Sequence, residues 1–460
     1  MKSYSEMTQS VIERRNQYDL KKRKRRKRVR LFLPVTLFLC IVMVAVWSYH
    51  GRDTVIVKAA NLLEGIKPSP VTPLDHLVKE SFPLTDFAIK LFQEEGKKGG
   101  NVLISPLSAL YSIGMMMNGA DGSTKEQMEE TLGMKTEELN LALYSLRTAF
   151  SQGEKKPLIQ ANSIWFSENR RFQVNQNFLQ TCADYYEADI LQVPFDDNMV
   201  REVNAWVGNR TAQVIPEIME EVPEDTVTYI LNAMSFEAGW ENDKTRKKVH
   251  YGDFQMENGE KKTVTYFTFT EDFFIRGYME TGFIKNYQTD DGRKYAFVIL
   301  LPRQGISMRE YISKLDGQHF RYVIKNETSH GNLKEKYIVS IPRFTVTYES
   351  ELSESLRALG MSEAFDEKNA NFSLLGTMES KKKAGKSVPY IGKFIQKTML
   401  YVDEKGTKAR AASMVGFEME EDIVMEHKKE MFSRPFVYAI IDRETMFPLF
   451  LGICNEPVTE

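Results

Sequence analysis

Cysteine is scarce: the chain holds only Cys40, Cys182 and Cys454, with no C-x-x-C pair. That excludes a disulfide-stapled scaffold, a cysteine-based zinc site and a thioredoxin-type motif. Catalytic signatures are missing too. There is no H-E-x-x-H, no G-x-S-x-G, no P-loop and no G-x-G-x-x-G, so neither a hydrolase nor a nucleotide enzyme is indicated. The six histidines are scattered, and acidic pairs such as Asp196-Asp197 read as solvated loop residues. No metal or other cofactor is expected. Glycine and proline, at 27 and 16 residues, are too few for a collagen-like or low-complexity chain. No internal repeat is visible. What is there is an ordinary globular composition over 460 residues, long enough to bury a core without staples.

The formal net charge of −2 conceals an asymmetry. The first fifty residues carry twelve Lys/Arg against three Asp/Glu, and the remaining 410 are net acidic by eleven charges. An acidic body is a poor nucleic-acid binder, and no nucleic-acid partner is expected. The basic charge has its own explanation. Lys21 to Arg28 is an unbroken basic run, Arg30 follows, and Leu31 to Tyr49 contains no charge. Nineteen helical residues just cross a hydrocarbon core of ~30 Å. Pro34 falls in the first turn, where a missing N–H costs least, and Trp47 and Tyr49 close the run as interfacial aromatics do. A cleaved signal peptide would have a shorter basic region, a shorter apolar run and a small-residue cleavage site. Leu37-Phe38-Leu39 before Cys40 is too bulky for a lipoprotein site. The expectation is a cytoplasmic tail (1–30), a single transmembrane anchor (31–49), a tether (50–78) rich in Pro around Lys67 to Pro73, and a domain (79–460) on the outer face of the cell membrane.

That domain alternates helical and strand-like periodicities without a regular βαβ order. Leu84, Phe87, Ala88, Leu91 and Phe92 have helical spacing, and Ser105-Pro106 is an N-cap followed by proline at the first helical position. Ser123 and Thr124, each with Glu126 or Gln127 three residues on, predict capping boxes. Residues 158–166, 226–236, 295–301, 337–348 and 436–441 are β-branched and aromatic runs of strand length. The class is α+β with large, mainly antiparallel sheets.

Several blocks resemble the serpin family, in the family's order. They are Asn101-Val-Leu-Ile-Ser-Pro-Leu-Ser108, Asn232-Ala-Met-Ser-Phe-Glu-Ala-Gly-Trp240, Phe297 to Pro302, Ile341-Pro-Arg-Phe344, Asp403-Glu-Lys-Gly-Thr407, Ser433-Arg-Pro-Phe436 and Pro448 to Gly452. The resemblance implies helices packed on large sheets, an exposed reactive loop, and suicide inhibition of a serine or cysteine protease outside the cytoplasm. The cleaved loop inserts into the main sheet and traps an acyl-enzyme, so the protein is an inhibitor and not an enzyme. It implies a sheet-opening cluster of Ser105, Ser108, Asn232, Gln396 and Trp240, with Gln396 standing where many members carry His. A Gln amide both donates and accepts, so the cluster can still be satisfied. It also implies a hinge of Glu404, Gly406, Thr407, Ala409, Ala411 and Ser413. Partners are the target protease and the membrane, and the domain is expected to be a monomer.

The residues add a test of their own. An inserted strand alternates its two faces. Thr407, Ala409, Ala411, Ser413, Val415, Phe417 and Met419 are small or apolar, whereas the other set carries every charge, including Lys408 and Arg410. A one-residue slip would bury those cations. An amphipathic edge strand shows the same alternation, but not its placement straight after Asp403-Glu-Lys-Gly406. Counting from Glu404 puts the bait bond at Glu420–Glu421, with Met419–Glu420 and Ile423–Val424 as alternatives because the loop is long. The competing reading is a non-inhibitory serpin-like binding or chaperone protein. Charged residues at the buried hinge positions would favour it, and they are absent.

Overall fold

The computed structural model describes residues 59–151, 156–168, 172–222, 228–241, 248–271, 274–290, 292–325, 337–378, 389–408 and 428–458. The run 31–49 lies outside them, and among the described residues no helix is long and apolar enough to cross a membrane.

The helices are α1 (Ser81–Gly96), α2 (Pro106–Gly119), α3 (Gly122–Leu132), α4 (Thr136–Phe150), α5 (Gln176–Tyr185), α6 (Asp197–Arg210), α7 (Met308–Lys314), α8 (Gly317–Lys325) and α9 (Ser353–Leu359). Helix α1 buries Leu84, Phe87, Ala88, Leu91 and Phe92, the stripe its spacing predicts. Helix α2 starts at Pro106 behind the extended Ser105, whose hydroxyl accepts the Ser108 N–H, and nearly all of its side chains are buried. It is therefore a central helix rather than a surface one. Helix α3 begins earlier than its capping-box pattern predicts. Asp121 is the N-cap and accepts the Gly122 N–H, while the Ser123 and Thr124 hydroxyls donate to Glu363 instead.

The strands are β1 (Ala60–Asn61), β2 (Val102–Ile104), β3 (Leu158–Ser167), β4 (Phe172–Val174), β5 (Asp189–Val193), β6 (Thr228–Phe236), β7 (Ala238–Trp240), β8 (Lys248–Gln255), β9 (Lys261–Glu271), β10 (Phe274–Arg276), β11 (Glu280–Gln288), β12 (Tyr295–Pro302), β13 (Tyr337–Pro342), β14 (Phe344–Glu351), β15 (Gly376–Met378), β16 (Lys393–Asp403), β17 (Gly406–Lys408), β18 (Lys428–Met431), β19 (Phe436–Asp442) and β20 (Pro448–Cys454). One hydrogen-bonded path runs β1-β5-β3-β6-β16-β17-β7-β11-β12-β19-β20-β2, with β14 on β16 and β10 on β11. A second sheet has the order β18-β13-β9-β8. The run 337–348, expected as one strand, divides at Pro342 and Arg343, so that β13 serves the small sheet and β14 the large one.

Two limbs meet at the middle of the large sheet. Strands β5, β3 and β6 form one limb, and β6 pairs with β16 in parallel from Tyr229↔Lys393 to Ser235↔Met399. Every residue of β6 is buried. Helix α2 packs beneath β3, β6 and β20, and α6 lies against β3, with Trp206 edge-on to Trp165 at 6.0 Å between ring centres. Residues 59–78, expected as part of a spacer, instead run over the body. Their scattered Leu62, Leu63, Ile66 and Leu74 pack against the core and Leu77 is buried.

Candidate functional site

The hinge leaves β16 in a tight turn. Asp403, fully buried, accepts the Lys405 and Gly406 N–H groups at 2.7 and 3.1 Å. Gly406 is required by close approach: a Cβ there would lie 2.1 Å from the Ala238 carbonyl oxygen. Strand β17 then pairs antiparallel with β16 on one side and with β7 on the other. Its three residues lie between β16 and β7.

Side chains lock this short strand. The Arg343 Nε donates to Glu404 at 2.8 Å, and both side chains are mostly buried. Trp240 donates its N–H to the Lys405 carbonyl and its indole N–H to the Asp403 carbonyl, at 3.1 and 3.0 Å. Thr407 is fully buried and its hydroxyl lies 2.5 Å from the Tyr287 phenol oxygen. Tyr287 is stacked on Trp240 at 4.8 Å. Burial pushes the Tyr287 phenol well above its ordinary range, against the opposing pull of the Thr407 hydrogen bond, so it stays protonated.

A second polar group sits deeper, where α2 begins under the sheet. Gln396 and Ser105 exchange two bonds: the Ser105 N–H donates to Gln396 Oε1 at 2.8 Å, and Gln396 Nε2 donates to the Ser105 carbonyl at 2.9 Å. The Ser105 hydroxyl donates to the Leu449 carbonyl at 2.9 Å, which ties α2 to β20. Asn232 donates to Ser112 at 2.7 Å and to Asn162 at 3.0 Å, and Ser108 reaches Asn162 at 3.5 Å. The Asn232 Oδ1 is buried and has no partner among the described residues.

The expected residues thus fall into two places. Ser105, Ser108, Asn232 and Gln396 come together, although Gln396 bonds Ser105 and Asn232 bonds Asn162 and Ser112. Trp240, grouped with them in the sequence reading, belongs with the hinge, because β7 carries it past the end of β6 to β17. Of the expected hinge residues, Glu404 is paired with Arg343, and Gly406 and Thr407 form the start of β17 between β16 and β7. Ala409, Ala411, Ser413, Met419, Glu420, Glu421, Ile423 and Val424 lie outside the described residues. Ser112, Asn162, Tyr287 and Arg343 were not anticipated in the site. Each lies within a segment that reads as plain helix or strand.

This arrangement, a parallel pair of central strands with an antiparallel starter wedged at one end, is matched by known proteins. The family profile of Serpin (serine protease inhibitor) covers residues 83–457. The chain belongs to the serpin family. Among curated relatives, mouse neuroserpin is 27% identical over 82% of this chain and 91% of its own length. The mouse leukocyte elastase inhibitor A is 27% identical over 81% of this chain and 98% of its own. Among solved structures, the thermophilic serpin tengpin in its native state has a TM-score of 0.76 at 37% identity, covering 86% of this chain and 99% of tengpin. Tengpin in its latent state scores 0.67, with 34% identity and coverage of 84% and 98%. Serpins are for the most part protease inhibitors rather than enzymes, and the relatives place this chain among them in that general sense.

Proposed function

We propose that this serpin is a suicide-substrate inhibitor of a serine protease, held on the outer face of a membrane by residues 31–49 and acting as a monomer. The observation that carries the inhibitory reading is the register of β17. Continuing its ladder along β16 brings Ser413 opposite Gln396, from Tyr401↔Lys408 and Val402↔Thr407. Continuing its ladder along β7 into β6 brings Ser413 opposite Asn232, from Gly406↔Gly239 and Thr407↔Ala238. Asn232 and Gln396 are themselves paired across the closed sheet. Two independent registers therefore agree on one slot.

The slot suits the sequence. Thr407 already sits buried in it, so Ala409, Ala411, Ser413 and Val415 would follow on the buried face, and Lys408 and Arg410 would point the other way. Across residues 409–416, about sixteen ladder bonds to β6 and β16 would replace the about seven that join them now. A net gain of about nine, at ~0.5–1.5 kcal/mol each, favours insertion by ~5–13 kcal/mol. The uncleaved state is then metastable, held by a kinetic barrier, and cleavage releases the drive that would trap the acyl-enzyme.

The bait bond is proposed as Glu420–Glu421. Glu418, Glu420, Glu421, Asp422 and Glu426 make that stretch acidic. A protease with a carboxylate in its specificity pocket would be repelled, and one with a basic or polar pocket would be attracted at low salt. Incubation of the protein with a panel of serine proteases tests the reading. An adduct that survives SDS supports it, and turnover of the serpin by every protease without any adduct rejects it.

A further inference from the structure

Lysine is rarely buried, because its ammonium gives up hydration that an apolar side chain does not need. Lys285 on β11 is only 6% exposed. Its nitrogen lies 3.4 Å from the Glu271 carboxylate at the end of β9, 4.3 Å from the centre of the Phe269 ring and 5.9 Å from a ring centre of Trp240. A methionine of similar length would fill this space without the desolvation, and exchanging buried ion pairs for well-packed apolar groups is often neutral or stabilising. Packing alone therefore does not account for the charge. Its place between two parts of the fold does.

On one side Lys285 meets the hinge. Lys285 and Tyr287 are two residues apart on one strand, so their side chains share a face, and Trp240 rests on both. The Trp240 N–H and indole N–H in turn donate to the Lys405 and Asp403 carbonyls. On the other side Lys285 meets the small sheet. Glu271 stands opposite Tyr337 on β13, and Tyr337 opposite Lys428, the first residue of β18. The Tyr337 ring is stacked on Phe274 of β10 at 4.4 Å, its hydroxyl accepts from Arg276 at 2.7 Å, and the Lys428 nitrogen lies 5.9 Å from its centre. The row Trp240, Lys285, Glu271, Tyr337, Lys428 crosses β7, β11, β9, β13 and β18. It joins the strands on either side of the bait loop, since β17 ends at Lys408 and β18 begins at Lys428. A second link runs beside it: the Arg343 Nε donates to Glu404 of the hinge, and the Arg343 N–H donates to the Thr265 carbonyl of β9 at 2.8 Å.

We propose that Lys285 is a positioning residue that fixes the span between the two ends of the bait loop, and so selects which of the loop's bonds a protease is offered. The proposal rests on the bait-loop reading. The loop holds four glutamates that a glutamate-preferring protease could use, Glu418, Glu420, Glu421 and Glu426. Successive residues of an extended chain are only ~3.3–3.6 Å apart, so a small change in span brings a different glutamate forward. A cation held by a carboxylate and two ring faces has a preferred place. Hydrophobic contact is non-directional and would hold the span less tightly.

The test uses the full chain and a glutamate-specific serine protease, with the first cuts in the loop located by mass spectrometry. The parent is expected to show one dominant first cut. Lys285→Met should lower the ratio of that cut to cuts after the other three glutamates about tenfold, and Lys285→Arg should bring it back to within about twofold. Glu271→Gln alters the same contact from its other side and should shift the ratio in the same direction, which keeps the test decisive where Lys285→Met folds poorly. Thermal unfolding of the uncut proteins checks folding. A parent-like cut distribution in folded Lys285→Met or Glu271→Gln protein overturns the proposal. So does a parent cut evenly after several glutamates, or a shift that Lys285→Arg does not reverse. The inhibitory reading is judged apart, from SDS-stable adducts. Shifted cuts in proteins that never form adducts support the positioning role and remove the inhibitory reading, whereas normal adducts with unshifted cuts overturn the positioning role alone.

Discussion

Thr407→Arg probes the hinge where the structure makes it most sensitive. Thr407 is fully buried between Val402 and Ala238, and its hydroxyl touches the Tyr287 phenol at 2.5 Å. The surroundings are aromatic and apolar: Tyr287 is stacked on Trp240, and Phe236 lies 4.8 Å from Tyr287. A guanidinium placed there loses its hydration without gaining an ion pair, because the nearby Glu404 is already bound to Arg343. The penalty for such a burial is several kcal/mol. If about 3 kcal/mol of it is felt in the transition state for insertion, insertion slows about a hundredfold. Deacylation of the protease is unaffected, so a serpin that traps most of its target becomes one that is mostly cleaved and released. The uncleaved protein changes as well. Strand β17 leaves the sheet, and the hinge becomes accessible to a non-specific protease before any target is met. Densitometry of adduct and cleaved bands on SDS gels reads the partition, and mild proteolysis of the free protein reads the hinge. Thr407→Val is the control, losing the Tyr287 bond at a cost of about 1 kcal/mol but keeping the size. If Thr407→Arg traps protease as well as the parent, β17 is not where insertion begins.

Other perturbations carry their own expectations. Gln396→Ala leaves the Ser105 N–H unpaired under the sheet, while the Ser105 carbonyl keeps the Ala109 N–H, and should lower the unfolding free energy of the uncleaved protein by about 1–3 kcal/mol in a urea titration. Ser413→Ala should leave that titration unchanged yet reduce the stability of the cleaved protein by about 1 kcal/mol, since the proposed register would bring the serine hydroxyl to the Asn232 Oδ1, which has no partner among the described residues; equal effects on both forms would refute the register. Arg343→Met strands the Glu404 carboxylate in a mostly buried position, and should cost the uncleaved protein about 3–5 kcal/mol, seen as a lower midpoint in thermal unfolding. Cys182 and Cys454 are buried and unpaired, and burial pushes both thiols above their ordinary range. Maleimide should therefore modify them only after denaturation; fast labelling of the folded protein would contradict the packing.

Much of the fold was legible because local signals coincide with global needs. Ser105-Pro106 states a helix start in two adjacent residues, and the mostly apolar segment to Met117, broken by Ser108 and Ser112, is what the structure buries as a central helix. The turn into β17 was legible for a similar reason: Asp403-Glu-Lys-Gly406 leads into the strand Gly406–Lys408, and a Cβ at Gly406 would collide with the Ala238 carbonyl, whereas the alternating residues from Ala409 on lie outside the described residues. The polar partners beneath the sheet were only half visible. Ser112 and Asn162 lie inside segments whose periodicity announces helix and strand, and nothing local shows that their side chains meet Asn232. Trp240 was misgrouped because its neighbours in sequence, on β6, belong to the deeper cluster, while one strand further on it faces the hinge. Residues 59–78 read as a spacer because Pro68, Pro70 and Pro73 cluster in them. Their leucines, at 62, 63, 74 and 77, follow neither a helical nor a strand period, and the β5 edge that receives β1 is more than a hundred residues away.

Metastability of the uncleaved state is the claim on which the whole account depends, and it is measured by comparing unfolding before and after one cut in the loop. The protein should be nicked with a non-target protease between residues 414 and 427, checked by mass, and heated or titrated with guanidinium beside the intact form. The account predicts that the nicked protein is the more stable of the two, by ~5–13 kcal/mol from the added ladder bonds. A nicked protein that unfolds at the same point as the intact one, or earlier, as a cut in an ordinary surface loop would have it, contradicts insertion and the inhibitory mechanism with it.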